Sequence, residues 1–297
     1  MEIPPKARRV ARKLLGPRAA RYVRRLLRRR VHDVDWYLSL FAGRQGLEIG
    51  GPSEAFGDEG PIPVYRVLRS LDNCLFSNQT IWAGQTEEGK HFKFNSLRPS
   101  GYQFVLEGTE LRKIPDSSYD CVLSSHTLEH IANPLLALAE WKRISRKDGI
   151  ILLLLPHKDR TFDWRRPATN LAHMIEDRNR GTKEDDLTHL EEILTLHDLR
   201  KDKAAGSLEH FRSRCMDNYQ YRAMHHHVFD TSTAVEMLDY AGFQLLRVDL
   251  LKPCHIILVC QECDHTPENA TFLAQDAEYR RHSPFPSDRP SAKLSRV

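Results

Sequence analysis

Six consecutive aliphatic residues, Ile150 to Leu155, restrict the fold of this 297-residue chain more than any other feature. A strand with one wet face alternates apolar and polar residues, so an unbroken run of this length marks a central parallel strand covered by helices on both faces. The run ends at Pro156-His157. It follows a helix-like stretch that starts at Asn133-Pro134, where proline suits the first helical position, and carries Leu135, Leu138, Ala139, Trp141 and Ile144 on one face. Lys147-Asp148-Gly149 then stops the helix. Helix, glycine stop and buried strand in that order predict an α/β fold.

A second stretch, Gly46-Leu47-Glu48-Ile49-Gly50-Gly51-Pro52-Ser53, reads as a short buried strand with an inward acid and a sharp glycine turn. Such a turn lets backbone approach a ligand where side chains would obstruct it. A dinucleotide fingerprint needs three glycines spaced G-x-G-x-x-G, and only an adjacent pair followed by Pro52 is present, so NAD and FAD are disfavoured. Residues 63–71 read as the next strand, ending at Asp72. A carboxylate at a strand tip suits a ribose diol, while Asp72-Asn73 also reads as a plain turn. Phe104 to Leu106 reads as a third strand, and residues 73–101 carry no clear pattern.

The glycine turn resembles motif I of the class I S-adenosylmethionine-dependent methyltransferases. Residues 119–130, Tyr-Asp-Cys-Val-Leu-Ser-Ser-His-Thr-Leu-Glu-His, resemble motif IV of the same family, and the helix, glycine and buried strand that follow resemble its motifs IV to VI. The resemblance covers about residues 44–157 and 228–261. It implies a Rossmann-like seven-stranded methyltransferase sheet with helices on both faces, whose last antiparallel pair falls on residues 243–250 and 255–260. It also implies S-adenosylmethionine as cofactor. Glu48, Gly50, Gly51 and Pro52 would then meet the methionine part, Asp72 the ribose, Glu110 and Leu111 the adenine region, with Ser125 and His126 on the methyl side. The family's usual aspartate near adenine falls on Gly108, which leaves Glu110 or the backbone at Thr109 for that task.

Charge divides the chain. Residues 1–30 hold 12 Lys and Arg against one acid, and the remainder carries 32 bases and 39 acids. An acidic body does not grip a phosphate backbone, so nucleic acid is an unlikely partner. Residues 1–30 form a basic helical arm, read as a solvated helix, a peripheral anchor for anionic lipid or a transit peptide, in that order. Residues 31–265 form the catalytic domain, with 158–227 as an inserted helical lid at the carboxyl edge of the sheet, and 266–297 form a partly disordered tail. Trp36, Tyr37, Leu40 and Phe41 are expected to cover the cofactor pocket from outside. Six scattered cysteines and no long apolar run suggest reduced thiols in a cytoplasmic protein. Cys260-x-x-Cys263 reads as a strand end.

Methyl transfer from a sulfonium is an in-line displacement, and a hydroxyl acceptor needs a base. His157 is the favoured base, with His126 as the second candidate. His189 and His227 are candidate substrate contacts in the lid. A divalent ion at His189, His197-Asp198 or His225 to His227 is set aside, because three consecutive imidazoles point in different directions. The expected reaction is methylation of a hydroxyl, or an amine, of a polar small molecule such as a sugar or secondary metabolite. Methylation of a membrane-linked or polymeric acceptor reached through the arm, and a non-catalytic binding module, are the alternatives.

Overall fold

The computed structural model describes residues 30–80 and 82–289. The basic arm up to residue 29 and the tail from residue 290 lie outside the described residues. Eight strands form one sheet: β1 (Gln45–Ile49), β2 (Ser70–Leu75), β5 (Gly89–Phe92), β6 (Gly101–Val105), β7 (Tyr119–Ser125), β8 (Ser145–Pro156), β9 (Phe243–Leu251) and β10 (His255–Glu262). Their order is β5-β6-β2-β1-β7-β8-β10-β9. The sheet is mixed, with β10 antiparallel to both β8 and β9. The eighth, β5, pairs antiparallel to β6 at the edge and comes from the stretch without a clear pattern. A short hairpin, β3 (Gln79–Thr80) and β4 (Gly84–Gln85), precedes it.

The aliphatic run sits within β8, as its composition demands. Ile151, Leu153 and Leu155 enter one core layer together with Leu135, Leu138 and Trp141 of α2 (Pro134–Ile144). Ile150, Leu152 and Leu154 enter the opposite layer with Tyr37 and Phe41 of α1 (Val34–Phe41). The period-2 alternation of a strand thus buries both faces. The side chain of Asn133 accepts from Leu136 N at 3.1 Å and caps α2, with Pro134 at the first helical position. The aromatic helix α1 packs beneath the sheet rather than over the cofactor pocket, and Tyr37 Oη donates to Asp249 at 2.8 Å.

The expected second strand is also corrected. The second strand is Ser70–Leu75, not 63–71, because Val64–Arg66 forms a 3-10 turn whose Val64 and Tyr65 fill the lower core. The C-terminal segment packs up to Arg289: Tyr279, Phe285 and Asp288 are buried, and Thr231 N, Thr231 Oγ1 and Ser283 Oγ all donate to Asp288. Among the described residues no helix is long and apolar enough to cross a membrane. All six cysteines are free.

Residues 158–227 hold α3 (Leu171–Arg180), α4 (Leu190–Leu196), α5 (Leu208–Met216) and α6 (Asn218–Tyr221), with a small core of Ile193, Ala205, Phe211, Cys215 and Met224. The chain returns to the sheet through α7 (Thr231–Tyr240), capped by Asp230, which accepts from Thr233 N at 2.8 Å.

Candidate active site

A cavity of about 1420 Å³ opens at the carboxyl ends of β1, β2, β6 and β7, with the insertion forming its far wall. Its near wall is the glycine turn. Gly50 has φ +86°, and a Cβ there would lie 2.2 Å from Thr127 Oγ1. A Cβ on Gly51 would lie 2.3 Å from the Glu48 carboxylate. Both positions therefore require glycine, and the space that they leave is a cradle for a cofactor. Pro52 and Ser53 continue that wall, and the Gly51–Pro52 peptide is cis.

Glu48 shapes the turn from behind and does not line the cavity. It is fully buried, accepting from Ser53 N at 3.0 Å and Tyr65 Oη at 2.5 Å. Burial pushes its carboxyl up to about 8, against the opposing pull of the Tyr65 and Ser53 hydrogen bonds. The folded value lies above the unfolded one, so the stability that neutral Glu48 contributes is complete below pH 4.5 and is lost as pH rises toward 8. Urea midpoints at pH 5 and pH 8 are expected to show that loss, on the order of 3 kcal/mol, and Glu48→Gln is expected to flatten it.

The expected ribose and adenine acids are displaced. Asp72 lies within β2, where it accepts from Tyr102 N at 2.7 Å and Tyr119 Oη at 2.8 Å, so it is not at the strand tip. Glu110 is exposed and paired with Arg112 at 2.6 Å. Leu111 is buried in the core under α2, its N–H bonded to Glu140. The residues after β6 that reach the cavity are Leu106, Glu107 and Gly108. Glu107 accepts from Arg222 Nη2 at 2.5 Å, and that guanidinium lies 4.6 Å from the Phe76 ring at the end of β2. Trp82 adds an aromatic wall, 57% exposed and 5.1 Å from the His130 ring.

Ser125 and His126 line the cavity at the end of β7. His126 holds φ +52°, uncommon for a residue with a side chain, and its Nε2 is 2.8 Å from His255 Nδ1. Burial, then His255 and His225, push His126 down to about 3, so the ring is neutral.

His157 is not at the cavity. It is fully buried, its Nδ1 accepts from Asp159 N at 3.2 Å, its Nε2 donates to Asp288 Oδ1 at 3.0 Å, and Phe285 stacks on it at 4.0 Å. Both ring nitrogens are committed to holding the C-terminal segment, which makes His157 an anchor. Asp288→Ala is expected to lower stability by about 2–4 kcal/mol while leaving the transfer rate of the folded protein within about twofold. A thermal melt beside a single-turnover assay checks it. His189 and His227 likewise do not line the cavity: His189 Nε2 faces His173 Nε2 at 2.9 Å, and His227 Nε2 lies 3.2 Å from Ala132 O.

The insertion brings other groups to the cavity instead. His225 lines it, and His225 Nδ1 donates to Asp163 Oδ2 at 2.5 Å. Asp163 also accepts from buried Arg166 Nη1 at 3.1 Å, and Arg166 donates to the His225 carbonyl at 2.9 Å. Burial pushes Asp163 up, but His225 and Arg166 outweigh it and hold its carboxyl at about 2. Burial alone would lower His225, and the neighbouring Asp163 carboxylate reverses the sign and raises it. Because Nδ1 donates to a carboxylate, the lone pair of neutral His225 is on Nε2. Glu129 lines the same wall, 1% exposed, with Oε2 lacking a hydrogen bond, and burial pushes it up to about 7. The Asp163–His225 pair is a base held by an acid, an arrangement that can accept a proton from a ligand hydroxyl.

Residues 81–153 match the family model of a methyltransferase domain. No curated protein matches the chain in sequence. Similar solved structures include S-adenosylmethionine-dependent methyltransferases from three organisms. That of Methanosarcina mazei is 14% identical over 80% of this chain and 99% of its own, with a TM-score of 0.43. That of Mesorhizobium loti is 11% identical over 77% and 95%, with a TM-score of 0.42. That of Aquifex aeolicus is 12% identical over 88% and 100%, with a TM-score of 0.38. Given the strand order, the glycine turn and the family model across β4 to β8, the chain carries a methyltransferase domain.

Proposed function

We propose that the enzyme methylates a hydroxyl of a polar small molecule and that His225, positioned by Asp163, is the base. Bound S-adenosylmethionine supplies an electrophilic methyl group on a sulfonium. Gly50, Gly51 and Pro52 would receive its methionine part and Leu106 to Gly108 its adenine side, while Ser125 and His126 flank the methyl. No carboxylate lines the cavity at the tip of β2, so Glu107 is the nearest acid in sequence to serve the ribose. The single observation that carries the reading is the Asp163–His225 contact in the wall of the cofactor cavity. An amine or thiolate acceptor needs orientation alone, whereas a hydroxyl must lose its proton as the new bond forms.

The insertion acts as the lid over the acceptor. Arg160, Lys201 and Arg214 join Asp159 and Asp202 on that side of the cavity, a lining that suits a polar ligand with several hydrogen-bonding groups. A membrane-linked acceptor draws on residues 1–29, which lie outside the described structure.

The test is a transfer assay with methyl-labelled cofactor against sugars, phenols and matched amines. Label on oxygen, with release of S-adenosylhomocysteine, supports the reading. Transfer confined to amines, at equal rates in wild type and Asp163→Asn, overturns it.

A further inference from the structure

Away from the cavity, the insertion gathers donors that methyl transfer does not use. His173 and Asp177 stand one turn apart on α3 and share a face. His189 stands at the start of α4, and His227 lies in a bend of the stretch that leads to α7. One donor atom each from His173, Asp177 and His227 lie within 4.8 Å of one another. His173 Nε2 is 3.3 Å and His227 Nε2 3.7 Å from the same oxygen, Asp177 Oδ2. His189 Nε2, outside that group, is 2.9 Å from His173 Nε2.

Two features set this cluster apart from an ordinary polar contact. Asp177 is 4% exposed, its Oδ1 accepts from the Thr182 hydroxyl, and its Oδ2 has no hydrogen bond. His227 is 1% exposed, with Nδ1 also lacking a partner while Nε2 lies against the Ala132 carbonyl. Buried polar atoms are almost always satisfied, and an orphaned carboxylate oxygen among imidazoles is what a cation would satisfy.

We propose that His173, Asp177 and His227 bind a divalent cation of the zinc class. Two imidazoles and a carboxylate are donor types that such an ion takes, with one position left for a further ligand, and donors stand about 3.3 Å apart at zinc bond lengths. His173 Nε2 and Asp177 Oδ2, 3.3 Å apart, stand at that value. Thr182 on Asp177 Oδ1 supplies the outer-shell support such sites require. With none of its donors lining the cavity, the ion's role is structural. It ties α3 to the stretch before α7, beside Asn133, whose Nδ2 donates to the Asp177 carbonyl at 3.1 Å. This reverses the view that the histidines of the insertion hold no metal.

The test uses the full chain, purified without chelator. Zinc per chain is measured by mass spectrometry, and cobalt(II) exchange is followed by visible absorption. A single equivalent with tetrahedral cobalt bands is expected, falling to background in Asp177→Asn and in a His173→Gln, Asp177→Asn double variant that still binds cofactor. Should those variants unfold, wild type carries the test alone: a strong chelator should lower the melting temperature and zinc should restore it. Wild type that binds cofactor but takes up no zinc or cobalt above background overturns the proposal. So does a folded double variant that keeps its full equivalent, which would move the ion to Glu129, His130 and His225. Cofactor titration is independent of either result, so failure here leaves the methyltransferase reading intact.

Discussion

Isothermal titration of Gly51→Val with S-adenosylmethionine is expected to show an affinity at least about a hundredfold below that of wild type, a loss of roughly 2.7 kcal/mol. The clash is unavoidable. Even an alanine Cβ would stand 2.3 Å from Glu48 Cδ and Oε2, and that carboxylate is held by Ser53 N and Tyr65 Oη behind the turn. Valine must therefore push the turn outward into the space meant for the ligand, or break two buried hydrogen bonds. Gly50→Ala meets Thr127 and also takes on the strain of φ +86°, on the order of 1–3 kcal/mol. Gly57→Ala is the control, since its Cβ would meet only Glu54 O at 3.7 Å, an ordinary contact. Titration heats from a folded Gly51→Val matching those of wild type would remove the glycine cradle from the account.

The parts of this site that were legible in sequence are those set by local pattern. The glycine pair, the aliphatic run of β8 and the Asn133-Pro134 start each carry their reason within a few residues, and the structure keeps all three. The second strand was misplaced because Val64, Tyr65 and Leu68 look like a strand yet serve as packing beneath it. The true strand contains Asp72 and Asn73, polar residues satisfied only by Tyr102, Tyr119, Gly51 and Gln103 from elsewhere in the chain. His157 has the same explanation. Its partner Asp288 is 131 residues away, in a segment whose composition suggested disorder. Asp163 and His225 are 62 residues apart, and the one local hint was an acid among the aromatic residues Phe162 and Trp164 just past the end of β8. Long-range pairing of polar groups, unlike hydrophobic period, leaves no spacing in the sequence to read.

That pairing yields the sharpest kinetic expectation. His225→Gln keeps a similar volume but cannot accept a proton, and a lost general base costs about 10²–10⁴ in rate. The loss should fall on kcat for a hydroxyl acceptor, with cofactor affinity within about twofold of wild type, because His225 is on the acceptor side of the cavity. Asp163→Asn acts through His225, as a positioning change. It removes the charge that favours the protonated ring and leaves Arg166 Nη1 facing a neutral amide, so a slower enzyme of lower stability is expected. Acceptor acidity separates a base from a mere wall. A phenol already ionised at the assay pH needs no proton removed, so the variant should recover most of the lost rate with it, while a sugar hydroxyl should show the full deficit. Equal deficits for both acceptors would mean that His225 holds the substrate and takes no proton, and the base would then have to be sought at Glu129, the neighbouring group that burial has raised to about 7.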